Sequence, residues 1–290
     1  MSAAPSAIEQ GPLAIVCGGG SMPLAVAESV RKRGRDVVLF VVRGARDAGS
    51  LENFAQYHLH IGQIGKFMRL ARAAGCREVV FIGSLVRPSL WQVHLDVKGL
   101  MLLPKLIAAY RGGDDHLLSG MASLLEAEGF RLRGAHEVAP EILVPEGALG
   151  RLQPSERDRA DIALGFDYLR ATGAFDVGQA IVVAGHHVLT VEAAEGTDQM
   201  LARVAEMRAN GRVRSAAGVG VLVKGPKAKQ DQRFDLPSIG PRTVEGVMRA
   251  GLAGIAVAAG ATIIAEPERL VLTADRSGIF VFGAAAGSGL

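Results

Sequence analysis

The feature that most restricts the fold of this chain is a series of short, wholly apolar runs separated by helical patterns. Pro12 leads into Leu-Ala-Ile-Val-Cys17, Asp36-Val-Val-Leu-Phe-Val-Val42 is a second run, and Glu78-Val-Val-Phe-Ile-Gly83 a third. Amphipathic stretches from Leu24 to Arg33 and from Lys66 to Ala74 fall between them. A strand that reads as a continuous apolar run is buried on both faces, and that happens in parallel sheets covered by helices on each side. The first half is therefore expected to be a Rossmann-like α/β domain with a parallel sheet.

At 290 residues the chain is about twice the usual domain size, so two domains are expected. Pro140, Pro145, Gly147, Gly150 and Pro154 crowd into one interval, which places the linker and divides the chain into domains 1–145 and 146–290. The second half opens with a helical pattern from Ser155 to Thr172. Gln179–Val183, a Gly185-His186-His187 turn and Val188–Glu192 read as a β-hairpin. Further strands are expected at Gly218–Val223, Thr262–Ala265 and Gly278–Phe282, giving a second α/β domain with a mixed sheet.

Hydrophobic residues at 49% and charged residues at 21% suit a folded chain and exclude disorder. One Trp and three Tyr leave few stacking platforms for single-stranded nucleic acid, and a net charge of +3 does not imply a DNA-binding face. Nucleic acid is therefore not an expected partner. Cys17 and Cys76 are the only cysteines, which excludes a disulfide framework and a structural zinc set and fits a reducing cytoplasm. Residues 1–10 lack the pattern of a signal peptide. The uncharged stretch Ala250–Ala265 is too short and too glycine-rich to span a bilayer, so a soluble chain is expected.

Several motifs carry chemistry. Gly18-Gly19-Gly20-Ser21 follows a strand and opens a helix, where backbone N–H groups and the helix dipole suit a phosphate. The dinucleotide fingerprint is incomplete, because Pro23 occupies its third glycine position and the second strand ends in Arg43 without a carboxylate for a ribose. Gly62-Gln63-Ile64-Gly65-Lys66 is not a P-loop, since Phe67 stands where a hydroxyl must reach magnesium. Gly83-Ser84 ends the third strand, where doubly wound folds place ligands, and an ordinary strand-end turn is the alternative. Asp114-Asp115 before a helix reads as capping, and the chain lacks the Asn-His pair of a metallophosphoesterase. Glu195-Gly196-Thr197-Asp198 offers a hydroxyl and a carboxylate at a helix start, with simple N-capping as the alternative.

The densest segment follows a strand: Lys224, Lys227, Lys229, Gln230, Asp231, Arg233 and Asp235 alternate with turn formers up to Gly240. Its cations suit phosphate oxygens, and an aspartate beside them suits magnesium or an attacking water.

The chain resembles a known family along nearly its whole length. Gly18-Gly19-Gly20-Ser21-Met22-Pro23, Ile61-Gly62-Gln63-Ile64-Gly65-Lys66, Gly134-Ala135-His136-Glu137-Val138, Asp176-Val177-Gly178-Gln179, Glu195-Gly196-Thr197-Asp198 and Asp235-Leu236-Pro237-Ser238-Ile239-Gly240 occur in the family's order. Together they resemble the UDP-2,3-diacylglucosamine pyrophosphatases of lipid A biosynthesis of the LpxI type, which are unrelated to the calcineurin-like enzymes of the same step. The resemblance implies a two-domain hydrolase with substrate held between the domains and magnesium or another divalent ion such as manganese. It puts the family's important aspartate at Asp235, which is expected to be catalytic, either as a metal ligand or by orienting the water. It also puts substrate contacts at Gly19, Gly20, Ser21, Thr197 and Asp198. Ser238 stands where the family commonly has Thr, which keeps the hydroxyl.

Gly83, Ser84, Gln179, Lys224, Lys227, Gln230 and Arg233 complete the candidate substrate-binding set, with Lys227 and Arg233 expected on the pyrophosphate. A diacylated substrate partitions into membranes, so peripheral contact with the cytoplasmic face of the inner membrane is expected. A homodimer is the base-rate expectation for assembly. A nicotinamide-dependent oxidoreductase and a non-catalytic nucleotide-sugar sensor are the two competing classes.

Overall fold

The computed structural model describes residues 11–44, 51–83, 94–101, 114–175, 177–227, 231–234 and 236–285. The chain forms two compact units, Met1–Glu141 with Asp231–Phe234, and Ile142–Gln230 with Asp235–Leu290. Both are α/β.

In the first unit β1 (Leu13–Cys17), β2 (Val37–Val42), β3 (Ala55–Leu59), β4 (Glu78–Ile82) and β5 (Arg131–Leu132) form one parallel sheet in the order β3-β2-β1-β4-β5. The helices α1 (Met22–Lys32), α2 (Ile64–Ala73), α3 (Asp114–Ala127) and the short α4 (Ala135–Val138) connect them. The three apolar runs are β1, β2 and β4. β3 carries Ala-Gln-Tyr-His-Leu, and its alternation with polar residues reflects an edge strand, which hid it from a reading based on apolar runs. Phe40, fully buried, packs edge-on to Phe67 at 4.8 Å between ring centres, and burial of each such ring contributes about 2–3 kcal/mol. Glu78, also buried, accepts from Arg35 at 2.7 Å and Arg133 at 3.1 Å and so fixes the start of β4. Asp114 and Asp115 are helical at the described start of α3, and the residues before them lie outside the described residues.

In the second unit β6 (Gly147–Ala148), β7 (Ala180–Ala184), β8 (His187–Val191), β9 (Val221–Lys224), β11 (Gly254–Ala258) and β13 (Phe280–Ala284) form a mixed sheet ordered β6-β13-β11-β9-β7-β8. β9, β11 and β13 are parallel, while β7 is antiparallel to β9 and β8, and β6 to β13. β10 (Ser238–Ile239) and β12 (Ile263–Ile264) make a separate parallel pair. α5 (Glu156–Thr172) covers one face through Ile162 and Phe166. α6 (Gly196–Ala209), α7 (Pro241–Arg249) and α8 (Pro267–Ser277) cover the other through Met200, Leu201, Val244 and Leu270. The predicted hairpin and the helix after Ser155 are both present. Ser155 caps α5 reciprocally: its Oγ accepts from the Asp158 amide at 3.3 Å, and Asp158 accepts from the Ser155 amide at 2.9 Å. β11 lies inside the uncharged Ala250–Ala265 stretch. Its small apolar residues match those around it, so no boundary sets the strand apart within that stretch. Among the described residues no helix is long and apolar enough to cross a membrane.

Asp161 anchors the hairpin. Its fully buried carboxylate accepts from the backbone amides of Gly185 at 2.8 Å and His186 at 2.7 Å, where His186 turns with φ of 64°. Asp161→Ala leaves both donors unpaired and is expected to cost about 2–4 kcal/mol. Urea denaturation would show this as a lowered midpoint, whereas an unchanged midpoint would mean that the turn holds without its anchor.

Candidate functional site

The described candidate residues fall mainly in two places, the strand-end glycine turns of the first unit and a cleft of the second. In the first unit the sheet order reverses at β1: the chain goes from β1 outward to β2 and β3, then returns to β4 on the other side. Open parallel sheets bind ligands in the crevice beyond the carboxyl ends of their strands at this point. Gly18, Gly19 and Gly20 leave β1 there, and Gly83 leaves β4. The Gly18 amide donates to the Ile82 carbonyl at 2.8 Å, tying the two turns together. Gly83 has φ of +100°, and a Cβ on it would lie 2.8 Å from the Gly18 carbonyl carbon and the Gly19 oxygen, so only glycine lets the turns meet. Gly20 also sits at positive φ, +96°. Ser21 precedes α1, and its hydroxyl makes no capping bond, so the backbone rather than the side chain shapes this cradle. Ser84 lies outside the described residues.

By contrast, the amino end of α2, within the segment that superficially resembles a P-loop, receives a carboxylate from the protein itself. Asp96 accepts from the Lys66 amide at 2.8 Å and from the Gly99 amide at 2.8 Å. This agrees with the sequence-based rejection of a phosphate loop there.

The second unit holds a cleft of about 300 Å³ lined by Gly178, Gln179, Glu192, Ala193, Lys224, Lys227, Leu236, Pro237 and Ser238. The entry to β7, the exit from β8, the exit from β9 and the entry to β10 converge on it. Glu192, the residue after β8, is buried, at 8% exposure. One of its carboxylate oxygens accepts from the Gln179 amide at 2.8 Å and the other from the Thr197 hydroxyl at 2.7 Å. Thr197, in the first turn of α6, accepts in turn from Lys224 Nζ at 2.9 Å. Lys224 is the last residue of a fully buried strand, Val-Leu-Val-Lys, and is itself only 9% exposed. Gly178 is required by close packing, since a Cβ there would stand 2.5 Å from both the Cβ and the carbonyl oxygen of Glu192.

Of the candidate residues, Gln179, Lys224 and Lys227 line this cleft, and Thr197 backs it through Lys224. Thr197 does not cap α6, because its hydroxyl is committed to Glu192. Asp198 points outward into an ion pair with Arg242 at 2.7 Å. Arg233 belongs to the first unit, where it pairs with Asp231 at 2.7 Å and Glu126 at 2.7 Å. Hydrogen bonding to Arg233 holds the Asp231 carboxyl below its ordinary range, and Asp231 foremost raises the guanidinium's affinity for its proton. Gln230 and Asp235 lie outside the described residues. Glu192 was not among the candidates. Its signal in the sequence was a single acidic residue closing an apolar strand, which reads equally well as a solvated strand end.

The cleft suits an anion. Among the described residues two lysine side chains and no aromatic ring line it, and an ammonium group serves phosphoryl oxygens as a compact point charge. The described residues do not fit a divalent cation. Among the described residues Glu192 is the only carboxylate on the wall, both its oxygens are engaged, and no cluster of three His, Cys, Asp or Glu occurs.

Residues 12–142 match the LpxI N-terminal domain and residues 145–282 the LpxI C-terminal domain. The chain is 41% identical over 271 residues to the UDP-2,3-diacylglucosamine pyrophosphatase LpxI of Caulobacter vibrioides, covering 93% of this chain and 96% of that protein. Two solved structures are far more distant. One is a GalE-like L-threonine dehydrogenase from Cupriavidus necator, 11% identical, with 96% of this chain and 87% of that chain covered at a TM-score of 0.31. The other is the biotin carboxylase domain of 2-oxoglutarate carboxylase from Hydrogenobacter thermophilus, 12% identical, with 72% and 43% covered at a TM-score of 0.22. At these scores neither supports a conclusion.

Proposed function

Because the chain belongs to the LpxI family, we propose that it is a hydrolase cleaving the pyrophosphate of UDP-2,3-diacylglucosamine into UMP and 2,3-diacylglucosamine 1-phosphate, a step of lipid A biosynthesis. The geometric observation that carries the reading is the lysine-lined cleft of the second unit, with Lys224 held by hydrogen bonds at its wall.

Hydrolysis of a phosphoanhydride adds water oxygen to one phosphorus and breaks its bond to the bridging oxygen, which keeps the electron pair and departs with the other phosphate. Little covalent help is needed, and charge stabilisation on the nonbridging oxygens dominates. In this reading Lys224 and Lys227 provide that charge, Asp235 orients the water and takes up its proton, and the Gly19–Gly20–Ser21 turn with Gly83 contacts another part of the nucleotide. Magnesium or manganese enters the reading through Asp235 alone, and such an ion, when bound, would neutralise phosphate charge. Working on a diacylated substrate places the enzyme at the cytoplasmic face of the inner membrane.

The test is UMP release from UDP-2,3-diacylglucosamine, with magnesium and with chelator, by the wild type beside Asp235→Ala. Release that needs the metal and that falls at least ~1,000-fold in the variant is expected. No release from folded wild-type protein under any condition would overturn the reading in favour of a nucleotide-sugar sensor, which binds and does not cleave. A nicotinamide enzyme is disfavoured by Pro23 in the first turn of α1 and by Arg43 at the end of β2.

A further inference from the structure

We propose that Glu192 is a positioning residue that sets the lysine of the cleft through a hydroxyl relay. The inference rests on the reading of this cleft as the pyrophosphate site. Glu192 is buried, yet it is neither an ion-pair partner of convenience nor a strand cap. Its two oxygens are divided between the Gln179 amide and the Thr197 hydroxyl. A hydroxyl has one proton to give. Because Thr197 gives it to Glu192, its lone pairs face the other way, and Lys224 Nζ donates into them at 2.9 Å.

The carboxylate therefore fixes the polarity of the hydroxyl, and the hydroxyl fixes the ammonium. Three elements contribute, the exit of β8 through Glu192, α6 through Thr197 and β9 through Lys224. Lys224 closes a strand with no exposed face, so its stem is held by packing, and the bond to Thr197 is one of the contacts that orient its head. One of its donors is spent on Thr197, and the group as a whole lines the cleft. Lysine is otherwise a flexible side chain that loses much entropy on being held, and a preorganised ammonium stabilises developing phosphoryl charge without that cost at the moment of reaction. Gly178 belongs to the same device: its missing side chain allows the β7 entry to close over Glu192 and present the Gln179 amide to it.

The experiment compares Glu192→Gln, Thr197→Val and Thr197→Ser by calorimetric titration with inorganic pyrophosphate and by steady-state UMP release. Urea midpoints serve as the control for folding. Glu192→Gln abolishes the charge that orders the hydroxyl. Thr197→Val keeps shape and both charges but removes the relay, so it decides the matter if Glu192→Gln does not fold. Both are expected to weaken pyrophosphate binding and to lower kcat/KM about 10-fold, with kcat falling at least as much as KM rises. Thr197→Ser restores the hydroxyl and is expected to recover what Thr197→Val loses. A purely structural threonine would show no such hydroxyl-specific rescue.

Folded Thr197→Val with wild-type pyrophosphate affinity and kcat/KM would overturn the proposal, as would a wild type that does not bind pyrophosphate. If pyrophosphate binding follows the expected pattern while the wild type releases no UMP, the positioning role stands and the hydrolase reading fails.

Discussion

Lys224→Met is expected to reduce UMP release by about 100- to 1,000-fold, equivalent to about 2.7–4 kcal/mol of lost transition-state stabilisation, with the protein still folded. Methionine preserves the unbranched apolar stem that ends β9, so the packing of this buried strand is retained. The ammonium alone is removed. Glu192 does not become an orphaned buried charge, because the Gln179 amide and the Thr197 hydroxyl still donate to it. The loss should appear mainly in kcat, since the cation matters most where negative charge accumulates on the phosphoryl oxygens. Lys224→Arg is expected to rescue poorly, because a planar guanidinium does not fit a position only 9% exposed and bonded to Thr197 by a compact head. Steady-state kinetics on folded Lys224→Met decide the matter, and turnover within about 5-fold of wild type would remove Lys224 from the reaction.

Gly283→Ala is expected to be the most damaging single-methyl change in the second unit, lowering its stability by more than about 3 kcal/mol or preventing soluble expression. Gly283 lies inside β13, opposite Val257 of β11 on one side and Gly147 of β6 on the other. A Cβ there would stand 1.9 Å from the Pro145 carbonyl oxygen and 3.2 Å from a Val144 methyl. No flexible side chain end can swing away, since the obstacle is backbone. That backbone is pinned as well: the Val144 amide donates to the Thr262 carbonyl at 2.8 Å, and the Gly260 amide donates to the Val144 carbonyl at 2.9 Å. Relief of the clash therefore requires breaking these bonds or separating β13 from its partners. A denaturation midpoint equal to wild type would show instead that the residues before β6 shift at little cost.

The parts of the fold that were legible are those where burial leaves a periodic or uniform mark. β1, β2 and β4 were readable because both faces of a central parallel strand need apolar residues. The β7–β8 hairpin was readable because a Gly-His-His turn separates two β-branched runs, and α5 because Ser155 and Asp158 form a reciprocal cap. β3 and β11 were not, for opposite reasons. β3 is an exposed edge with polar residues, and β11 is so uniformly small and apolar that nothing sets it apart from its surroundings.

The candidate site divides in the same way. Gln179, Thr197, Lys224 and Lys227 carry polar groups in turns or at element ends, where a sequence suggests ligand chemistry, and the second unit brings Gln179, Lys224 and Lys227 to one cleft with Thr197 behind Lys224. Arg233 and Asp198 have the same chemistry in the sequence, but the fold commits one to Asp231 and Glu126 and the other to Arg242. Which groups a charged side chain meets is a matter of three-dimensional neighbours and cannot be read from its place in the sequence.

By itself the sequence determined the α/β class, the glycine turn after the first strand and the chemistry of the residues offered to an anion, because each of these depends on local conformation or on burial repeated along one segment. The tertiary structure alone decided that Gly83 meets the Gly18–Gly19 backbone, and that Glu192, Thr197 and Lys224 form a single chain of hydrogen bonds. Both depend on the order in which strands are laid side by side. Strand order comes from the sum of weak packing preferences across a whole sheet rather than from any residue or spacing that can be read in one place.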